Sequence, residues 1–252
     1  MTSDLFKDHF STRSDDYQKY RPGYPPVLFD YLASISPARQ LAWDCATGTG
    51  QAARELARLF SKVVASDASA QQIDQAVGNA RINYQVMPAE QPTLAAQSVD
   101  LITVAQALHW FDQARFYTAA WRVLKPEGVL AVWSYNLLSI NPDIDRVVKH
   151  FYHDIVGPYW PPERKLIEQG YAPLPEMFRR IDIPEFAMQS QWSLSDLMGY
   201  LGTWSASRYY MTERDSDPLD IIRQELQQVW GDNNVVRRID WPLCLRIGKK
   251  SG

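Results

Sequence analysis

The chain lacks the residues that would build a disulfide framework or a zinc cluster. Its 252 residues include only two cysteines, Cys45 and Cys244, and each falls in a segment predicted to be a buried strand. So few thiols are typical of a reducing cytoplasm, where we expect this protein to reside. No His and carboxylate residues cluster at ligand spacing, so no metal ion is expected either.

Long apolar runs and an excess of positive charge are also missing. No segment approaches the roughly 20 apolar residues of a membrane-spanning helix. The polar start MTSDLFKDHF has no apolar stretch typical of a signal peptide. A net charge of −3 with interspersed signs provides no basic surface. We therefore expect neither a membrane nor a nucleic acid as a partner.

What the chain does contain is a strand, a turn of small residues and a helix in direct succession. The run LAWDCATGTG, 41–50, is followed by apolar residues at helical spacing from Ala52 to Phe60. Such a turn brings bare backbone N–H groups close to a ligand at a helix start. Asp67 ends the next apolar run, where a carboxylate can accept the hydroxyls of a ribose. Together these features predict an adenosine-containing ligand.

Two cofactors fit this unit. Gly48-x-Gly50-x-x-Ala53 satisfies the looser fingerprint of dinucleotide-binding proteins. The stretch DCATGTG resembles instead the first motif of class I S-adenosylmethionine (SAM)-dependent methyltransferases, in which an acid precedes alternating small residues. The dinucleotide pattern gives no reason for Asp44. Ala46 stands where the methyltransferase motif has its first glycine, which reduces backbone freedom there.

Four further segments resemble the same family, in its order. They are MPAE (87–90), SVDLITVAQALHWF (98–111), VLKPEGVLAVWSYN (123–136) and, before the sheet, YQKYRPGYP (17–25). The last resembles the N-terminal arm of the type 11 branch. The chain is thus similar to a class I SAM-dependent methyltransferase of the type 11 kind, most clearly over 41–136.

The alternation of apolar strands and amphipathic helices predicts an α/β fold with a parallel sheet covered on both faces. We expect strands near 40–45, 62–67, 82–87, 98–105, 129–135 and 186–193, and helices near 51–60, 70–79, 113–123 and 218–230. The resemblance implies a Rossmann-like, mostly parallel seven-stranded sheet whose antiparallel last strand, 241–250, lies between strands five and six. It also implies an arm, 1–36, that covers the cofactor, and a SAM-binding domain, 37–252. Within that domain, 141–183 is interpreted as an insertion rich in proline and aromatic residues.

The resemblance also implies a set of site residues. Those expected to bind the cofactor are Tyr20, Arg21, Asp44, Ala46, Thr47, Gly48, Gly50, Asp67, Ala68, Ala89, Glu90, Ala105 and Gln106. His109 is the candidate catalytic residue, because an imidazole can act as a base near neutral pH. It can equally pack against the cofactor. The aromatic residues of the insertion could wall an acceptor pocket or form a packed lid: Tyr152, Tyr159, Trp160 and Tyr171.

The predicted function is methyl transfer from SAM to a small-molecule acceptor. The chain has no Asn/Asp-Pro-Pro-aromatic run after the fourth strand and no Pro-Cys pair, which disfavours methylation of nucleic acid bases. It also has no Tyr-x-x-x-Lys, which removes the short-chain form of a dehydrogenase. Two alternatives stay open: a noncatalytic protein that binds SAM or S-adenosylhomocysteine (SAH), and a dinucleotide-dependent oxidoreductase.

Overall fold

The computed structural model describes residues 22–233 and 235–251, so the predicted arm residues Tyr20 and Arg21 lie outside the described part. Its strands are β1 Leu41–Cys45, β2 Lys62–Asp67, β3 Ile82–Val86, β4 Val99–Ala105, β5 Leu124–Tyr135, β6 Phe178–Arg180, β7 Ala187–Trp192 and β8 Arg237–Lys250. The α-helices of this part are α1 Pro26–Ile35, α2 Gln51–Leu59, α3 Ala70–Asp74, α4 Gln113–Val123, α5 Pro142–His150, α6 Arg164–Glu168, α7 Leu194–Gly202, α8 Ser205–Arg214 and α9 Leu219–Trp230.

The strands form one sheet in the order β3-β2-β1-β4-β5-β8-β6. The first five are parallel neighbours, and β8 runs antiparallel to both β5 and β6. This confirms the Rossmann-like, mostly parallel sheet with its antiparallel last strand, although the strand beyond β8 is Phe178–Arg180 and not the expected 186–193. β7 adds an eighth strand, which pairs with the first half of β8. Since the parallel strands share a direction, the carboxyl ends of β1, β2, β4 and β5 meet at one edge.

Both faces of the sheet are covered by apolar helix faces. On one face Trp43 packs 6.4 Å from Phe116 of α4. On the other, Trp133 packs edge-on against Phe29 of α1, at 6.1 Å. A separate apolar cluster joins α5 and α7–α9 to β7 and the start of β8, with Trp204 and Trp230 buried in it. The long, continuously buried strands follow from this double covering.

The local signals place most helix boundaries well. The side chain of Asp112 caps α4 by accepting a hydrogen bond from the N–H of Arg115, at 3.2 Å. The helix expected over 70–79 is shorter, because α3 ends at Asp74 and Val77 is 61% exposed. Beyond the helix, the side-chain oxygen of Asn79 accepts a hydrogen bond from the N–H of Arg81 at 2.9 Å, and this turn leads into β3. The prediction of a full helix there is therefore wrong.

The segment between β5 and β7 contains α5, α6, β6 and a wide turn, Phe151–Ile155, with π-helical hydrogen bonds. The N–H of Val156 donates to the carbonyl of Phe151 at 3.0 Å, which is the i to i+5 bond of such a turn. Asn136, just after β5, donates to the carbonyls of Ile167 and Glu168, both at 3.4 Å. These two bonds hold α6 against the carboxyl edge of the sheet.

Candidate cofactor and acceptor site

The loop between β1 and α2 is wound through the left-handed region of backbone space. The φ angles are +55° at Ala46, +55° at Gly48 and +86° at Gly50. Glycine adopts such angles freely, whereas alanine does so at a cost in free energy. The N–H of Thr47 donates to the carbonyl of Ser66 at 2.9 Å, so the loop folds back over the end of β2.

Asp44 lies beneath this loop and is fully buried. One carboxylate oxygen accepts a hydrogen bond from the hydroxyl of Thr47, and the other from the hydroxyl of Thr103 at 2.7 Å. Burial raises the pKa of Asp44 to about 6, and the two hydroxyl donors oppose that rise. Asp44 therefore ties β1, the loop and β4 together and does not face the open edge.

Asp67 stands at the tip of β2, beside the loop. Its carboxylate accepts the N–H of Gly48 and the N–H of Ser69, each at 2.9 Å. Burial raises the pKa of Asp67, and these backbone donors counteract the effect. A carboxylate oxygen can accept more than one hydrogen bond, so both oxygens can still take a ribose hydroxyl. Ala68, next to it, is exposed at the same edge.

The two predicted residues after β3 have different environments. Ala89 is 7% exposed and packs into the core beside Met87. Glu90 is half-buried, and its carboxylate accepts the N–H of Asp112 at 3.0 Å. Glu90 therefore links the loop after β3 to the start of α4, with one carboxylate oxygen engaged in the described contacts.

The chain turns sharply where β4 ends at Ala105. Gln106 has a φ of +57°, and its N–H donates to the carbonyl of Trp133 at 2.9 Å. Its side-chain amide donates to the carbonyl of Tyr135 at 3.2 Å. Gln106 thus bridges the ends of β4 and β5, next to the loop that carries Ala46.

His109 lies in the short helical turn that follows, half-buried against Tyr171. Its Nδ1 atom is 2.9 Å from the Tyr171 hydroxyl, and the two rings stack with centroids 6.2 Å apart. Burial and the nearby charge of Arg164 lower the pKa of His109 to about 3. Burial raises the pKa of the Tyr171 hydroxyl. Both groups are therefore uncharged near neutral pH, and the direction of their hydrogen bond depends on the imidazole tautomer.

One of the four predicted aromatic residues contacts His109, and two others pack on Arg164, whose charge acts on His109. Tyr171 contacts it directly, and Tyr152 and Trp160 pack together with ring centroids 5.0 Å apart, linked to it through Arg164. Tyr159 points elsewhere: its hydroxyl accepts from Nε of Arg214 at 2.9 Å.

Sequence reasoning missed three residues that shape this region. Thr103, which holds Asp44, had a detectable signal, since it is a lone hydroxyl in the apolar run LITVA. The ring of Tyr84 on β3 fills the space that a Cβ atom on Gly50 would need. Arg164 reaches the site only through the tertiary fold, and nothing in its local sequence indicates this.

None of the helices in 22–233 and 235–251 is long and apolar enough to cross a membrane. Across that same part of the chain, no three His, Cys, Asp or Glu residues are grouped so as to hold a metal ion.

Comparison with known proteins agrees with this geometry. The family model for the type 11 methyltransferase domain matches residues 43–132. A protein of Dictyostelium discoideum, whose methyltransferase activity is inferred, is 34% identical, over 99% of this chain and 97% of its own length. A solved structure from Anaeromyxobacter dehalogenans, likewise inferred to be a type II methyltransferase, is 40% identical with a TM-score of 0.87, covering 92% of this chain and 98% of that one.

A more distant structure shares the fold alone: a Bacillus halodurans protein at 21% identity and a TM-score of 0.51, covering 89% of this chain and 99% of that one. The loop with Gly48 and Gly50, and the carboxylate of Asp67 beside it, suit the amino acid and ribose parts of SAM. The chain therefore belongs to the class I SAM-dependent methyltransferases, in the type 11 branch, with S-adenosylmethionine as its cofactor.

Proposed function

We propose that this methyltransferase acts on a small molecule bound between the cofactor loop and the cluster formed by Tyr152, Trp160, Arg164 and Tyr171. The observation that carries the proposal is the position of α6. It is hydrogen-bonded to Asn136 at the end of β5 and leads directly into Tyr171, which contacts His109 after β4. With α6 and Tyr171 this close to the strand ends, the space beside the cofactor loop suits a small acceptor better than a macromolecule.

In the proposed site, one group of residues binds the cofactor and a second group supports the cofactor loop. The loop from Ala46 to Gly50 and the carboxylate of Asp67 bind the cofactor, together with Ala68, Glu90 and Gln106. Asp44 and Thr47 hold the loop in shape from beneath. Family membership removes the dinucleotide-dependent oxidoreductase as an alternative, since the matched family model and the relatives compared above are those of methyltransferases.

SAM supplies an already activated methyl group, so the protein's contribution is alignment and exclusion of water. Holding two reactants in line can contribute about 7–11 kcal/mol in favourable cases. The apolar faces of Tyr152, Trp160 and Tyr171 would displace water from the acceptor. Because its pKa is lowered to about 3, His109 is a weak base near neutral pH, and its role in this proposal is to pack beside the reacting atoms.

Calorimetric titration with SAH tests the cofactor side. We expect one saturable site, and Asp67→Ala should weaken binding by about 1.5–3 kcal/mol, the range for hydrogen bonds to a charged group. Asp74→Ala removes an exposed carboxylate from the end of α3 and serves as the matched control. Equal SAH affinity in Asp67→Ala and Asp74→Ala would remove Asp67 from the ribose site.

Turnover tests the catalytic part of the proposal against a noncatalytic SAM-binding protein. SAH release should be measured across a panel of small metabolites and, separately, with short RNA, DNA and a protein extract. We expect release only with small molecules. Release that requires a macromolecule would contradict the proposed acceptor class, and no release with any acceptor, despite SAH binding, would favour the noncatalytic alternative.

A further inference from the structure

We propose that the acceptor is a carboxylic acid and that Arg164 binds its carboxylate. This inference rests on the proposed function, because it names the substrate class of the same site. The guanidinium group of Arg164 lies beside the proposed acceptor region and has no acidic partner among the described residues.

Arg164 is half-buried and held in a fixed orientation. Its Cζ atom lies 4.9 Å from the ring centre of Trp160 and 5.5 Å from that of Tyr152. Its Nε atom donates to the Tyr152 hydroxyl at 2.8 Å. Stacking of this kind immobilises the planar group and leaves its outer edge available for a fork-shaped contact.

No described carboxylate neutralises this cation. Tyr152 stands between Arg164 and Glu168: its hydroxyl accepts from the arginine and donates to Glu168 at 2.6 Å. Within 22–233 and 235–251, no acidic group lies within ion-pair distance of Arg164, and its two terminal nitrogens donate to no protein atom. A bidentate carboxylate would satisfy both nitrogens.

The position of Arg164 is that of an acceptor contact. It begins α6, the helix that Asn136 holds over the end of β5. Its charge acts on both His109 and Tyr171, whose rings stack at the end of β4. The guanidinium therefore lies near the ends of β4 and β5, the edge at which open α/β sheets bind their ligands.

A carboxylate acceptor is also consistent with the site because it reacts without a general base. One of its oxygens attacks the methyl carbon of SAM, a C–O bond forms, and the C–S bond breaks with its electron pair passing to the sulfonium. The products are a methyl ester and SAH, and no proton is transferred. An alcohol would need a base, and His109 is a poor one because its pKa is lowered and its Nδ1 atom contacts the Tyr171 hydroxyl. A protonated amine would be repelled by Arg164.

The test uses the full chain and an acid panel with matched neutral compounds. Benzoic, phenylacetic, hexanoic and adipic acids should be compared with their primary amides, and with hexanol and hexylamine, by SAH release. We expect at least one acid to be methylated and its amide to be inert. Arg164→Gln should lower kcat/KM for that acid by roughly 10- to 100-fold, mainly through KM, since a charged hydrogen bond is lost.

Three comparisons make the result decisive. SAH affinity should be unchanged in Arg164→Gln, Arg164→Lys should recover part of the activity, and Lys165→Gln, a neighbouring surface cation, should behave as the wild type. Equal turnover of the neutral compounds, an unchanged kcat/KM in Arg164→Gln, or no methylated acid from protein that binds SAH would each overturn the inference. Absence of SAH binding would instead contradict the proposed function and remove this inference with it.

Discussion

The imidazole of His109 and the phenol of Tyr171 form a neutral stacked pair, with Nδ1 2.9 Å from the hydroxyl and the ring planes 22° apart. The two residues are 62 positions apart in the chain. Their contact joins the turn after β4 to the segment that follows α6, so it connects the two regions that we propose bind the cofactor and the acceptor.

The first prediction is a pH effect on stability. Burial lowers the pKa of His109 to about 3 from its ordinary 6.5, so in that interval the unfolded chain binds a proton that the folded ring excludes. Stability should therefore fall as pH drops below about 6.5, by up to about 1.4 kcal/mol per pH unit from this group. Urea unfolding at several pH values should show a shallower dependence in His109→Gln. Identical slopes in both proteins would mean that the ring is protonated normally in the fold.

The same lowered pKa extends the first prediction to the kinetics of His109→Ala. A ring that only packs against the cofactor should, when removed, weaken SAM binding and leave the rate at saturation similar. If His109 acted as a general base, its removal should lower the rate at saturation by about 100-fold or more. Single-turnover rates with saturating SAM distinguish the two, and a collapse of that rate at unchanged SAM affinity would contradict the packing role.

The second prediction concerns the support of Asp44 by Thr103. Thr103→Val removes one of two hydroxyl donors to a buried carboxylate, and we expect a loss of about 1.5–3 kcal/mol in the free energy of unfolding near pH 7.5. The pKa of Asp44 is raised to about 6, so its stabilising contribution declines as pH rises towards that value. Without the Thr103 donor this decline should extend to higher pH, and the cost of the variant should shrink at about pH 4.5. Thr118→Val, on the exposed face of α4, is the matched control and should lack this pH dependence.

The third prediction follows from the φ of +55° at Ala46. A left-handed backbone strains a residue that has a Cβ atom by about 1–2 kcal/mol. Glycine avoids this strain, but fixing its freer backbone costs about 0.5–1 kcal/mol more conformational entropy than fixing alanine. Ala46→Gly should therefore raise the free energy of unfolding by about 0.5–1 kcal/mol. Ala114→Gly, in an ordinary helical position, should lower it by about 1 kcal/mol. A similar loss in both variants would show that Ala46 is not strained.

The fourth prediction concerns Gly50 and Tyr84. A Cβ atom on Gly50 would collide with the ring and hydroxyl of Tyr84, and the φ of +86° disfavours a side chain independently. We expect Gly50→Ala to cost about 1–3 kcal/mol of stability and to weaken SAH binding. Gly78→Ala, where a Cβ meets no atom within 4 Å, is the control. Adding Tyr84→Ala to Gly50→Ala should recover part of the SAH affinity; no recovery would mean that the backbone angle alone is responsible.

Much of the fold was predictable because its signals are local. The apolar runs at β1, β2 and β4, and the helical spacing of Ala52, Ala53 and Leu56, each lie within a few residues of one another. The cap at Asp112 is equally short-range. The error at 70–79 has a local cause too: the apolar spacing of Ile73, Ala76 and Val77 continues past the point where Gly78 and Asn79 turn the chain towards β3.

The sequence alone therefore determined the order of the elements, the small-residue loop and the acid beside it, because strand, turn and helix propensities act over short distances. The tertiary structure alone decided that His109 is neutral, that Thr103 supports Asp44, and that Arg164 stacks on Tyr152 and Trp160 without an acidic partner in the described chain. Those properties arise from burial and from contacts between distant segments. The packing of α6 against the carboxyl edge of the sheet brings Arg164 and Tyr171 to the end of β4, and the pairing of β1 with β4 sets Thr103 beside Asp44.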